Sequence, residues 1–455
     1  MFKYIITTFV ALVFSFSSFA NTSWDDILNA KKAPQNWLTH HGSIDGHRFS
    51  GLDKINKKNV KKLKVVWTAP IAGNEGGGIW THAGLEGTPL VEDGFIYSTD
   101  GWGSVYKHDA TKKGKLVWKM DPDTDHDFPG AVTCCGVNNR GVALIEDKVV
   151  SHTLDGRLII TNKETGEIEQ EVQLADASVS EVITAAPLIV KDTVLTGVAG
   201  AEYGIRGWLH STNLADGSKN WRTYTIPAPG EPGSDTWKQG PESHSKDAWM
   251  HGGGSTWVVG SYDPDLDVVY WGVGNPGPDW DNEYRPGDNL YSNSVLALDA
   301  DTGKIKWYFQ YTPNDPYDFD GVNEQTLVDA KIFGKKTKAV LHADRNGFAY
   351  ALDRVSGKFL WGTPFVKKLD WTAGLDKYTG RPLDYDPNSD VQRYVVANSA
   401  FRAQPEATSC PGNMGGKNWP PTAYDPDRNM YYIPVIESCS MHVNVPTEKE
   451  WVARE

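Results

Sequence analysis

Only four cysteines occur in the 455 residues, and none stands in a C-x-x-C-H run, so the chain carries no c-type haem of its own. No G-x-S-x-G is present, which argues against a hydrolase although His251 heads a glycine run. Gly76, Gly77 and Gly78 lack the lysine of a phosphate loop. Basic charge is short: the formal net charge is -13, which excludes a sequence-independent nucleic-acid binder and disfavours docking on anionic lipid. Beyond the first twenty residues no run is long and apolar enough to span a membrane. Patterns for long helices are missing too. The composition, 39% hydrophobic and 23% charged, excludes disordered, collagen-like and coiled-coil chains.

What is abundant is glycine (45), proline (26) and tryptophan (18), the currency of turns and large packed rings. Residues 1–20 read as a secretory signal peptide: Lys3, an apolar stretch, then Ser18-Phe19-Ala20. The remaining 21–455 are then exported, most simply to a bacterial periplasm, where disulfides are allowed. Cys410–Cys439 would close an ordinary surface loop. Cys134 and Cys135 are adjacent. A trans peptide holds neighbouring Cα atoms about 3.8 Å apart, below the usual disulfide span of roughly 4.4–6.8 Å, so a vicinal bridge must distort the backbone. Two reduced cysteines, or crossed pairing with the distant pair, are the alternatives.

Five segments share one pattern: an apolar strand, Asp or Asn, a short turn with Gly, then a second strand. They are residues 106–118, 158–170, 209–221, 295–307 and 350–361, and four of them end in Trp. The turn glycines are Gly114, Gly166, Gly217, Gly303 and Gly357, spaced 52, 51, 86 and 54 residues apart. Asp or Asn followed by Gly suits a tight hairpin. A spacing near ~50 residues with several strands per unit predicts four-stranded β-propeller blades, the long interval holding insertions. Residues 257–271 and 419–434 each predict a further hairpin around an Asp-Pro turn. A sandwich or β-helix is the structural alternative. The triads Asp121/Asp123/Asp125 and Asp263/Asp265/Asp267 imitate the start of a calcium loop. His126 and Val268 stand where such a loop needs Gly, so both read as acidic surface turns.

The Trp-ended repeats, Cys134-Cys135, the run GNPGP from Gly274 and the run DFDGVNE from Asp318 closely resemble the pyrroloquinoline quinone (PQQ)-dependent methanol/ethanol dehydrogenases. The resemblance runs from about Trp37 to the last residue. It implies an all-β fold, an eight-bladed propeller of the quinoprotein type, incomplete here at about six blades. Residues 21–455 are accordingly expected to form one PQQ-binding domain that lacks its last blades, unstable and inactive as it stands.

Residue by residue, the resemblance implies a vicinal Cys134–Cys135 disulfide over one face of PQQ and Trp257 stacked on the other. Arg140 would bind a PQQ carboxylate. Glu86, Thr184 and Asn418 would make polar contacts to the cofactor, with Trp419 close by. Ala199, Gly200 and Ala201 would pass the quinone edge, and Arg345 would stand beside the quinone oxygens. Glu202, Asn275 and Asp318 would hold a metal. Asp320, where calcium-type members carry a small residue, adds a third carboxylate and predicts a lanthanide, with calcium as the alternative. Asp318 would be the general base. The expected reaction is oxidation of a primary alcohol to the aldehyde, preferably by hydride transfer with a covalent hemiketal as the alternative, and with a cytochrome c as electron acceptor drawn by the acidic surface. A homodimer is left open. A sugar or polyol dehydrogenase and a non-enzymatic propeller scaffold are the competing readings.

Overall fold

The computed structural model describes residues 21–71, 75–77, 83–126 and 133–452. The signal-peptide reading falls on residues 1–20, outside the described residues.

The five turn-glycine repeats each fold into a hairpin that forms the two outer strands of a four-stranded antiparallel sheet. Blade one comprises Leu90–Glu92, Phe95–Thr99, Val105–Asp109 and Lys115–Met120. Blade two comprises Ala143–Ile145, Lys148–His152, Arg157–Asn162 and Ile168–Gln173. Blade three comprises Leu188–Val190, Thr193–Gly197, Trp208–Asn213 and Lys219–Tyr224. Blade four comprises Ser261–Asp263, Val268–Val273, Ser294–Asp299 and Ile305–Gln310, and blade five Thr326–Ile332, Lys335–Ala343, Phe348–Asp353 and Phe359–Pro364. Strands follow one another across each of these five sheets in chain order. Both Asp-Pro hairpins form as well, one opening blade four and the other pairing Ala423–Asp425 with Met430–Tyr432. This is the expected all-β propeller architecture. Helix is scarce among the described residues: one short α-helix, Trp24–Leu28, and several 3-10 turns.

The terminal Trp of a repeat explains how blades stack. All five turn glycines have positive φ, and each donates its N–H back to the carbonyl of the Asp or Asn that opens the turn, four residues earlier in four repeats and five in the first. A Cβ on Gly166 would lie 2.8 Å from the Trp118 ring, on Gly303 2.4 Å from Trp221, and on Gly357 2.5 Å from Trp307. Each of these indoles therefore lies flat on the bare turn of the following blade. Trp118 and Trp221 also donate Nε1–H to backbone carbonyls beside those turns, Lys163 O at 3.0 Å and Ala300 O at 3.1 Å. The one repeat that ends in Gln170 instead sets that side chain against Gly217. Val268–Val273, an inner strand, is buried along its length, whereas the outer strand Ile168–Gln173 shows exposed or half-buried residues along its length. One apolar cluster joins blades two, three and four, through Ile160, Leu195, Trp208 and Trp271 among others, and a second joins blades four and five.

Cys410 and Cys439 form the expected disulfide. One acidic triad departs from expectation. Asp263 is buried, not a surface turn residue, because Arg354 reaches it at 2.7 Å from the next blade.

Candidate active site

In a sheet whose strands run up and down in order, the start of strand one and the end of strand two lie at the same edge. Loops of these two kinds meet around a cavity of about 420 Å3, within the range of ~300–1,000 Å3 usual for ligand pockets. Glu86, Cys134, Cys135, Arg140, Thr184, Trp257, Asp318 and Asp320 come from segments that lead into a first strand. Ala199, Gly200, Glu202 and Arg345 come from segments between strands two and three. Asn418 and Trp419 arrive from the segment before the last Asp-Pro hairpin.

Arg140 is buried and pairs with Glu86 at 2.7 Å, and it also bonds Asn138 Oδ1 at 3.1 Å. Its guanidinium lies 4.5 Å from the Trp257 ring centre and 5.7 Å from that of Trp419. Arg345 lies 3.2 Å from Asp320 and 3.9 Å from Asp318. Trp257 donates Nε1–H to Asp320 Oδ2 at 2.8 Å. The Nε atoms of both arginines are buried without a partner. Asp315 holds the Asp318 turn: its two carboxylate oxygens accept from Tyr317 N at 2.9 Å and Phe319 N at 2.7 Å, and Asp318 takes a left-handed φ of 62°.

Glu202, Asp279, Asp318 and Asp320 place four carboxyl groups on this one cavity. Burial, reinforced by their neighbours' negative charge, raises the pKa of each. Asp318 is pushed well above the usual carboxylate range and Asp279 to about 8. Arg345 opposes the rise at Asp318 and Asp320. Buried oxygens also stand unpaired here, Asn275 Oδ1 and Asp320 Oδ1. Crowded carboxyl groups with orphaned oxygen acceptors form a donor set suited to a hard cation. The broad slot with indoles, sulfurs and under-satisfied guanidiniums suits a flat, anionic aromatic group.

Residues 37–367 match the β-propeller domain family of PQQ-dependent glucose, ethanol and alcohol dehydrogenases. Quinoprotein alcohol dehydrogenase PedH of Pseudomonas putida is 39% identical over 446 residues, which cover 94% of this chain and 70% of that protein. The chain belongs to the PQQ-dependent alcohol dehydrogenases. The lanthanide-dependent methanol dehydrogenase of Methylacidiphilum fumariolicum is 34% identical, with 97% of this chain and 72% of the relative aligned. The solved structure of a europium-containing methanol dehydrogenase superposes with a TM-score of 0.80 at 34% identity, covering 90% of this chain and 70% of that one.

Two expected positions in this quinoprotein lie off the open wall. Ala201 is buried, with its carbonyl near Gly277, and Asn275 is fully buried behind Asp279. Among the described residues no three His, Cys, Asp or Glu side chains converge as a ready-made metal cluster. Asp320 is instead drawn to Trp257 and Arg345. The structure brings the Cys134 and Cys135 sulfurs to within 2.9 Å of each other on the cavity wall, unbonded but closer than two thiols in ordinary contact. Sequence reading missed Asp279, Ser255, Trp280, Asn413 and Met414, all on the cavity wall. The available signal for Asp279 was its place four residues after Asn275 in the same proline-stiffened loop.

Proposed function

We propose that this quinoprotein is a periplasmic enzyme that oxidises a primary alcohol of the methanol/ethanol class to the aldehyde, using PQQ and a lanthanide ion, and passes electrons to a cytochrome c. The observation that carries the proposal is the gathering of Asp318, Asp320, Glu202 and Arg345 on one slot walled by Trp257 and the paired sulfurs. When bound, PQQ supplies the two-electron acceptor and the cation supplies Lewis acidity. Glu202, Asn275 Oδ1, Asp318 and Asp320 would hold the cation. Arg140, freed toward an anionic edge by its unpaired Nε, would hold a cofactor carboxylate, with Glu86, Thr184 and Asn418 beside it.

Asp318 takes the hydroxyl proton of the alcohol on its carboxylate. Crowding by three other carboxyl groups favours its neutral form. A cation and the Arg345 guanidinium favour the ionised form that acts as base. The left-handed turn braced by Asp315 fixes the direction of that carboxylate. Residues 1–20 address the chain to the periplasm, and the net charge of -13 draws a basic electron-transfer partner. Calcium in place of the lanthanide is the alternative, favoured only if Asp320 stays with Trp257 and Arg345 on loading.

The test is reconstitution with PQQ and either lanthanum or calcium, read by dye reduction with methanol, ethanol, glucose and glycerol. Lanthanum activity on the small alcohols, abolished by Asp320→Ala, is the expected result. Equal calcium and lanthanum rates, or an unaffected Asp320→Ala protein, would remove the lanthanide. A preference for glucose or glycerol would remove the alcohol class.

A further inference from the structure

We infer that Asp279 is a positioning residue of the cation site: by accepting the Asn275 amide, it turns the Asn275 carbonyl oxygen toward the ion. The inference rests on the reading of the cavity given under Proposed function. It starts from a general property of asparagine, whose side chain has one acceptor end and one donor end related by a half-turn. Only the oxygen end can ligate a hard cation. In a cavity crowded with carboxyl groups, electrostatics alone would point the NH2 end inward, toward Glu202 and Asp320. A carboxyl group that is not itself an ion ligand must take the NH2 end instead.

Asp279 does so. Asn275 Nδ2 donates to Asp279 Oδ1 at 2.7 Å, which leaves Asn275 Oδ1 buried and without a hydrogen-bond partner. The opposite rotamer would bring Asn275 Oδ1 against the Asp279 carboxyl oxygen. The backbone on both sides is pinned, so the side-chain rotamer is the remaining freedom. Gly254 N donates to Asn275 O at 2.8 Å. Arg285, fully buried, reaches Pro278 O at 2.9 Å, Asp279 O at 2.9 Å and Asp315 O at 2.6 Å. One guanidinium thus ties the Asn275–Asp279 loop to the loop that braces Asp318. Partners that orient a ligand are worth about 10–100-fold in metal affinity.

Luminescence titration of the full chain with PQQ and Eu3+ tests the inference without relying on turnover. Asp279→Ala is expected to weaken Eu3+ by about tenfold or more and to add a water to the ion, read from lifetimes in H2O and D2O. Asp279→Asn offers its own carbonyl to Asn275 Nδ2 and is expected to stay close to wild type. The deciding variant is Asn275→Asp with Asp279→Ala, since a carboxylate has oxygen at both ends and needs no orienting partner; it should regain affinity and lose the extra water. An Asp279→Ala protein that binds like wild type overturns the inference. So does an Asp279→Asn protein as weak as Asp279→Ala, or a double variant that stays weak. Failure of the underlying reading looks different: wild type would show no Eu3+ site, or Glu202→Gln would leave it unchanged.

Discussion

Replacing Gly303 by Ala tests how adjacent blades lock together. Gly303 sits at φ 69°, and a Cβ there would lie 2.4 Å and 2.5 Å from ring atoms of Trp221 and 2.7 Å from Thr223 Oγ1. Gly334, in the turn between the first two strands of blade five, supplies an internal control. Its φ is 80°, and a Cβ there would meet nothing within 4 Å. Gly334→Ala therefore bears only the left-handed backbone penalty, about 1–2 kcal/mol. Gly303→Ala bears the same penalty plus the overpacking of a buried indole, about 1–3 kcal/mol more. The excess should vanish in a Trp221→Leu background, giving a coupling energy of about 1–3 kcal/mol between positions 221 and 303. Urea unfolding followed by far-ultraviolet circular dichroism measures all five proteins and avoids the altered fluorescence of the Trp variant. Equal losses for Gly303→Ala and Gly334→Ala, or no coupling in the cycle, would refute the idea that the indole on the bare turn holds the blades.

Three further outcomes are expected. His152 is buried, with Nδ1 2.9 Å from Ala185 O and Nε2 2.9 Å from Thr196 Oγ1, and burial pushes its pKa down to about 4. The unfolded chain takes up this proton first, so the group's stabilisation is whole above pH ~6.5 and declines as pH falls toward 4, by about 2 kcal/mol at pH 5. The stability gap between wild type and His152→Gln should shift by that amount between pH 7 and pH 5, and a constant gap counts against it. Glu324→Gln should destabilise by about 3–5 kcal/mol, because it strands the fully buried Lys417 ammonium now 3.0 Å from Glu324 Oε2. Adding Lys417→Met should recover most of that loss in the same unfolding assay. Asp315→Ala orphans the Tyr317 and Phe319 amides, at about 1–3 kcal/mol each. If Asp315 braces Asp318, the variant also loses alcohol oxidation at a temperature where it remains folded.

The hairpins could be read directly from the chain because their causes are local. An Asp or Asn and a glycine with positive φ set each turn. The Trp four residues on was legible as inter-sheet packing, although its seat on the next blade's turn was not. The Cys410–Cys439 bridge was also within reach of sequence reasoning. For the site, the motif matches collected fourteen residues onto one cavity wall, since loops from equivalent sheet edges are forced to one side. The adjacent sulfurs of Cys134 and Cys135 were also placed together on that wall.

Sequence by itself determined the blade pattern, the turn positions and which loops carry the chemistry, because those follow from dihedral preference and a short motif repeated over a few residues. Tertiary structure alone decided which side chains in those loops meet. Asp320 faces Trp257 across 63 positions, and Lys417 meets Glu324 across 93. Asp263 is buried because Arg354 reaches it from the next blade. Asp279, unremarkable in the chain, turns the amide of Asn275. Such pairings depend on the rotation between neighbouring blades and on single rotamers under strong mutual charge, and neither leaves a periodic trace in the order of residues.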